Sequence, residues 1–210
     1  MVADMTSIYT RMHDAIAAMD AGPTACEVIL VGVNDEAGSA HWRIPGTGAT
    51  VLKFDALAKP GSGVTRAVVH NHAGITTFFE IATAEPPPAS WIRGISSLRP
   101  ESNAQNLRSG SGRDRAFISA NRVSYPVALT PVRSLGTPGV PKFFILDVEG
   151  MDYDIALDLL AMEDVLGIGC EHTLMSGDEV IQLRCMAIER GFDFEFGDED
   201  AVFLRSAACP

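Results

Sequence analysis

Asp147 and Glu149, two residues apart, stand at the end of the apolar run Lys142-Phe143-Phe144-Ile145-Leu146 and just ahead of Gly150 and a helix-like stretch. Such a pair can divide acid–base work, one carboxylate orienting a substrate group and the other taking its proton, once burial or a neighbouring charge raises a pKa toward neutrality. Glu171, followed by His172, closes a second short apolar segment and is a further candidate base or substrate ligand. Asp55 ends a third, where an acid in Rossmann-like folds accepts hydrogen bonds from ribose hydroxyls. His70-Asn71-His72 sets two imidazoles at alternating positions, a spacing that serves zinc only when further ligands converge. Asp147, Glu149 or His172 would have to supply them, so a metal-dependent hydrolase is a lesser reading beside two plain strand-end histidines. Ordinary structural uses compete with all of these roles. Acids ahead of a helix favour the positive end of its dipole, and Asp55 and Glu171 also suit turns.

These residues are useful only if the chain holds them together. An unbroken apolar run reads as a strand buried on both faces of a parallel sheet, and ligands of open α/β sheets bind beyond the carboxyl ends of such strands. If strand geometry continues to Glu149, both carboxylates face one side of that crevice. Ile8, Met12, Ile16 and Met19 recur at helical spacing and Gly22-Pro23 stops them. Strands are expected over 27–33, 49–54, 66–70 and 76–81. Ile155, Leu159 and Met162 mark a helix, and 167–171 a short strand. Ser176 and Glu179 form a capping box before Ile181, Cys185 and Ile188, with Gly191 closing that helix. Residues 192–196 and 201–204 read as a closing antiparallel pair. Alternating strands and helices predict one α/β domain over 1–210, with a mainly parallel sheet. Residues 85–112, with three consecutive prolines and many Ser, Gly and Arg, read as a long loop anchored by Trp91.

Composition narrows the partners. With 210 residues, 47% hydrophobic and 20% charged, the chain has ordinary globular usage. A net charge of −11 opposes nucleic-acid binding, which depends on neutralising phosphates. No apolar stretch approaches the ~20 residues that span a bilayer, and the first residues lack a signal-peptide pattern, so the sequence reads as cytoplasmic with no membrane partner. Cys26, Cys170, Cys185 and Cys209 form no C-x-x-C pair and read as mostly buried small residues, outside any disulfide or zinc framework. Arg93, Arg99, Arg108, Arg113, Arg115 and Arg122 balance an acidic carboxyl-terminal third as a solvated segment.

Several patterns in order resemble the FkbM family of S-adenosylmethionine-dependent methyltransferases, over most of the chain. Val31-Gly32-Val33-Asn34-Asp35 resembles the family's first-strand turn, Phe54-Asp55-Ala56-Leu57 its second-strand end, and Ser96-Ser97-Leu98 a later Ser-Ser-Leu element. Asp147-Val148-Glu149-Gly150 matches its Asp-Val-Glu-Gly residue for residue, and Glu171 and Gly191-Phe192 match a strand-end Glu and a later Gly-Phe. The resemblance implies a Rossmann-like class I methyltransferase fold with an antiparallel last strand. It also implies S-adenosyl-L-methionine as cofactor and methylation of an oxygen on a small molecule or carbohydrate. Gly32, Val33, Asn34, Asp55 and Asp147 would bind the cofactor; Asp147, Glu149 and Glu171 would be the catalytic candidates, with no metal. The sequence departs from the family at Leu30, where an acid is usual, at Glu36, where a glycine is, and in a 56–65 connection too short for a helix. A degenerate relative without activity, or an alignment in which 28–33 is the third strand of a truncated chain, are the alternatives these departures leave. No G-x-G-x-x-G follows the first strand, which ranks a nicotinamide dehydrogenase lower.

Overall fold

A computed structural model describes residues 6–20, 25–33, 48–82, 92, 97–99 and 111–206. The chain opens with helix α1, Thr6–Asp20, and enters strands β1, Glu27–Val31, β2, Thr50–Asp55, and β3, Thr65–Arg66. Three further strands form a separate small sheet: β4, Val68–His70, β5, Gly74–Ile81, and β6, Arg122–Pro131, the last preceded by helix α2, Gly112–Asn121. Then follow β7, Lys142–Leu146, helix α3, Asp152–Leu160, β8, Val165–Glu171, helix α4, Gly177–Glu189, and the hairpin of β9, Phe192–Phe196, with β10, Asp200–Arg205. Seven strands make the central sheet in the order β3-β2-β1-β7-β8-β10-β9. All neighbours are parallel except those of β10, which runs against both β8 and β9. The expected α/β class, mainly parallel sheet and reversed last strand are therefore present.

The pleat of β1 and β7 divides two cores. All five residues of each strand are buried, as their apolar runs require. Val28, Leu30, Phe143 and Ile145 pack with Tyr9, Met12 and Ile16 of α1 on one face. Ile29, Val31, Phe144 and Leu146 pack with Ile155 and Leu159 of α3 and Leu183 of α4 on the other. Gly169 leaves room for the Tyr9 ring, since a Cβ there would lie 2.5 Å from it. Because β1 sits between β2 and β7, it is a central strand of the sheet.

Other expectations change in detail. The single strand expected over 66–70 breaks at Ala67, whose N–H donates to Asp55 O; Arg66 pairs in the large sheet and Val68 in the small one. The strand expected over 76–81 is β5, paired antiparallel to β6 outside the central sheet. Neither α2 nor β6 was legible. The apolar content of α2 is low, with Ile118 its buried residue, and Pro126 argues against a strand. Pro126 is accommodated because β4 pairs with β6 only over Leu129–Pro131, so Pro126 has a neighbour on one side alone. The Ser176–Glu179 capping box is formed, and no helix joins β2 to β3. Cys26 and Cys170 are buried as expected, while Cys185 is exposed. Trp91, Glu36, Cys209 and most of 85–112 lie outside the described residues. No described helix is long and apolar enough to cross a membrane.

The amino-terminal end of the sheet is tied by polar groups. Lys142, buried at the start of β7, donates to Thr137 O, Val140 O and Asp164 Oδ2 at 2.7, 2.8 and 2.6 Å. Glu27 of β1 accepts from Thr137 N and Oγ1 at 2.8 and 2.7 Å. Arg205, where reversed β10 reaches the same end, donates to the carbonyls of Val165, Arg190 and Met162 and lies over Phe192.

Candidate active site

At the opposite end the strand order reverses between β1, which leads outward to β2 and β3, and β7, which leads to β8. A crevice opens there. Gly32 has φ +85°, and a Cβ on it would lie 1.8 Å from Asp147 O, so only glycine lets the two strand ends approach so closely. Gly32 N donates to Phe54 O and Asp147 N to Val31 O, each at 2.9 Å, fixing the ends of β1, β2 and β7 to one another. Val31, Gly32, Asp55, Ala56, Leu57, Ala67, Val68, Val69, Phe78, Ser97, Leu98, Asp147, Val148, Glu149 and Met151 line the crevice, which encloses about 110 Å³ and is otherwise open. Its walls are largely apolar, with carboxylates at the rim.

Regular strand geometry does not extend to Glu149. β7 stops at Leu146, and Glu149 and Gly150 both take left-handed backbone, with φ +46° and +89°. The expectation that a continued pleat aims Asp147 and Glu149 the same way therefore fails. A non-glycine residue in that region costs about 1–2 kcal/mol, and such strain persists where surrounding structure enforces it, often at functional sites. Here Ser97 is part of the enforcement: its Oγ donates to Glu149 O at 2.6 Å, while Ser97 pairs by its backbone with Phe79. The Ser-Ser-Leu element thus touches the Asp-Val-Glu-Gly turn across 52 residues of sequence.

Acids dominate the electrostatics. Asp147 is exposed to the crevice but flanked by protein, and desolvation, then Glu171, Asp200 and Asp55, push its pKa up to about 7. Glu171 is raised by burial and, against the hydrogen bond it accepts from Thr173 Oγ1, by Asp200 and Glu199. Asp152, the first residue of α3, is fully enclosed, with Oδ1 lacking a hydrogen-bond partner. Burial, then Asp147 and Glu171, raise it far above the ordinary carboxylate range. Burial disfavours its charged form, so it is poorly suited to complementing the positive end of the α3 dipole, a role exposed acids serve better. No sequence signal marked Asp152 or Asp200 as members of this group.

The sequence candidates do not form one site. Gly32, Asp55, Asp147 and Glu149 come together at the crevice. Asp55 also serves its turn, its Oδ1 accepting from Leu57 N at 2.7 Å. Glu171 lines a separate shallow depression with Arg99, Gly150, Asp152 and Glu179, and reaches the crevice only through its charge. Val33 is buried against the α1 core, and its side chain is not part of the crevice lining. Asn34 lies outside the described residues. His70 and His72 pack edge to face, 4.3 Å between ring centres, beside a second cavity. His172 instead packs against Phe196, with Nε2 3.0 Å from Gly197 O. Among the described residues no three His, Cys, Asp or Glu side chains are grouped to hold a metal ion.

No protein-family profile, no curated protein and no solved structure matches this chain.

Proposed function

We propose that the crevice binds a nucleoside cofactor and, more particularly, that the protein is a small FkbM-like methyltransferase using S-adenosyl-L-methionine. The observation that carries this reading is the position of the crevice. It lies beyond the carboxyl ends of β1, β2 and β7, where the strand order reverses, the place at which open α/β sheets bind nucleotides. Gly32 keeps the β1–β7 approach free of side chain. Asp55 stands at the end of β2, where an acid can accept hydrogen bonds from ribose hydroxyls, and Ala67, Val68, Leu98 and Phe78 give apolar surface suited to a purine ring.

When bound, S-adenosylmethionine supplies a methyl group already activated on a sulfonium, so the chain must mainly orient the two partners and manage one proton. Asp147, with its pKa near 7, can present either a carboxylate or a neutral acid to the methionine end. Glu149 sits in a turn pinned by Ser97, which suits it to orienting an acceptor hydroxyl of a small molecule or carbohydrate.

Titration calorimetry with S-adenosylhomocysteine tests the reading, and Asp55→Ala is expected to weaken binding more than tenfold, since a charged hydrogen bond contributes about 1.5–3 kcal/mol. No heat at millimolar ligand would overturn it. A second reading, a degenerate relative that keeps the fold without transferring methyl groups, is favoured by the small enclosed volume, about 110 Å³ against the ~300–1,000 Å³ of ordinary ligand pockets. It predicts weak or absent cofactor binding.

A further inference from the structure

Ser97, Leu98 and Arg99 form a short strap between the two sheets, and each of the three holds something different. Ser97 and Phe79 of β5 exchange both backbone hydrogen bonds, each at 2.9 Å. The Ser97 hydroxyl donates to Glu149 O at 2.6 Å and accepts from Arg99 N at 3.0 Å, so the position of Arg99 helps set the rotamer that pins the strained turn. Leu98 is part of the crevice wall. Arg99 reaches away from the strap to two helices, with Nη2 2.5 Å from Asp154 Oδ2 in the first turn of α3 and Nη1 3.9 Å from Glu179 Oε1 in the first turn of α4.

We infer that Arg99 is a positioning residue for the crevice: by tying the strap to α3 and α4 it keeps Leu98 in the wall and Ser97 on Glu149, and so sets the crevice's affinity for its nucleoside ligand. The affinity part of this inference rests on the cofactor reading given above.

Three observations favour a positioning role over ordinary surface pairing. Arg99 does not line the crevice; it lies between the more polar cavity and the acidic depression and borders both, so it acts through Ser97 and Leu98 rather than by touching a crevice ligand. The side chains of Arg99, Asp154 and Glu179 are 39%, 27% and 25% exposed, a setting in which ion pairs add little to global stability. Ser97, by contrast, is 2% exposed, so a small shift of the strap is felt at a tightly packed contact with the turn. The two acids also meet different nitrogens of one guanidinium, a bridge that the planar fork of arginine can span and the single nitrogen of lysine cannot.

The test compares the intact protein with Arg99→Gln, Arg99→Lys, Asp154→Asn and the Arg99→Gln, Asp154→Asn double variant. Amide hydrogen exchange is followed by NMR, and S-adenosylhomocysteine is titrated by calorimetry. Arg99→Gln is expected to speed exchange about tenfold at Phe79, Ser97 and Met151, whose N–H groups bond within the strap and turn, and to leave Glu27 and Lys142 at the far end of the sheet within about twofold. The same variant is expected to weaken S-adenosylhomocysteine about five- to tenfold, the scale of two partly exposed ion pairs, with Arg99→Lys and Asp154→Asn in between. Because both substitutions act through one bridge, the double variant is expected to bind no more weakly than Arg99→Gln alone. Exchange that rises equally at Glu27 and Lys142 would mark Arg99 as a general stabiliser and overturn the inference. So would unchanged exchange at the strap and turn, additive losses in the double variant, or native S-adenosylhomocysteine affinity in Arg99→Gln, each of which leaves the cofactor reading standing. Native protein that binds no S-adenosylhomocysteine would overturn the cofactor reading and, with it, the part of Arg99 in binding.

Discussion

The two ends of the central sheet are built from the same strands and treat charge in opposite ways. At the amino-terminal end Glu27, Lys142 and Asp164 are brought together with their polar atoms matched, and Arg205 satisfies three carbonyls. At the carboxyl-terminal end burial, then the charges of neighbouring acids, raise the pKa values of Asp147, Asp152 and Glu171, with Asp152 Oδ1 unpartnered and Glu149 in strained backbone. A buried charge is tolerated when paired and hydrogen-bonded. One end obeys that rule throughout and closes the sheet; the other departs from it where the strand order reverses and a crevice opens. Groups held against their stability preference cluster at functional sites, and the contrast singles out the carboxyl-terminal end without any appeal to relatives.

The largest effect is expected at the matched end. Lys142→Ala would leave Asp164 and two carbonyls without their donor, and a loss of about 3–5 kcal/mol is expected, as for breaking a buried pair; urea denaturation measures it. A loss below about 1 kcal/mol, the scale of exposed pairs, would erase the difference between the two ends.

Asp147→Asn should do the reverse. Between the unfolded carboxyl's ordinary value of ~3.9 and about 7, the folded protein holds a proton that the unfolded chain releases, so stability falls as pH rises through that window. Replacing the acid is therefore expected to stabilise the fold by about 1–2 kcal/mol at pH 8, discounted for water reaching Asp147 through the crevice. The gain should shrink toward zero by pH 4. Paired thermal melts at the two pH values decide it, and a pH-independent difference would mean that neither burial nor the neighbouring acids disfavour the Asp147 charge.

The smallest effect belongs to Glu149→Gly, which removes the left-handed strain while adding glycine's entropy in the unfolded chain. A net gain of no more than about 1 kcal/mol is expected in the same melts, and a clear loss would show that the Glu149 side chain helps hold the turn.

Much of the architecture was legible because it depends on local pattern. Apolar runs marked β1 and β7, helical spacing marked α1 and α3, and the Ser176–Glu179 box marked the start of α4. Arg122–Pro131 and Gly112–Asn121 were not legible, because β6 derives its stability from a neighbouring strand and α2 has little apolar face of its own. The same division runs through the site. Strand ends carrying Gly32, Asp55 and Asp147 could be read one at a time, but Glu171's place outside the crevice and Val33's in the core depend on how the strands splay and pack.

Sequence by itself determined the α/β alternation, the buried central strands and the acids at their carboxyl ends, since burial periodicity and turn chemistry act over a few residues. Only the tertiary structure decided which acids meet. Strand order brings Glu171 and Asp200 from distant segments toward Asp147, and a contact across 52 residues of sequence joins Ser97 to Glu149. Long-range pairing also set His70 and His72 in the wall of a second cavity. Such proximities are set by sheet topology and register, which local residue preferences do not encode.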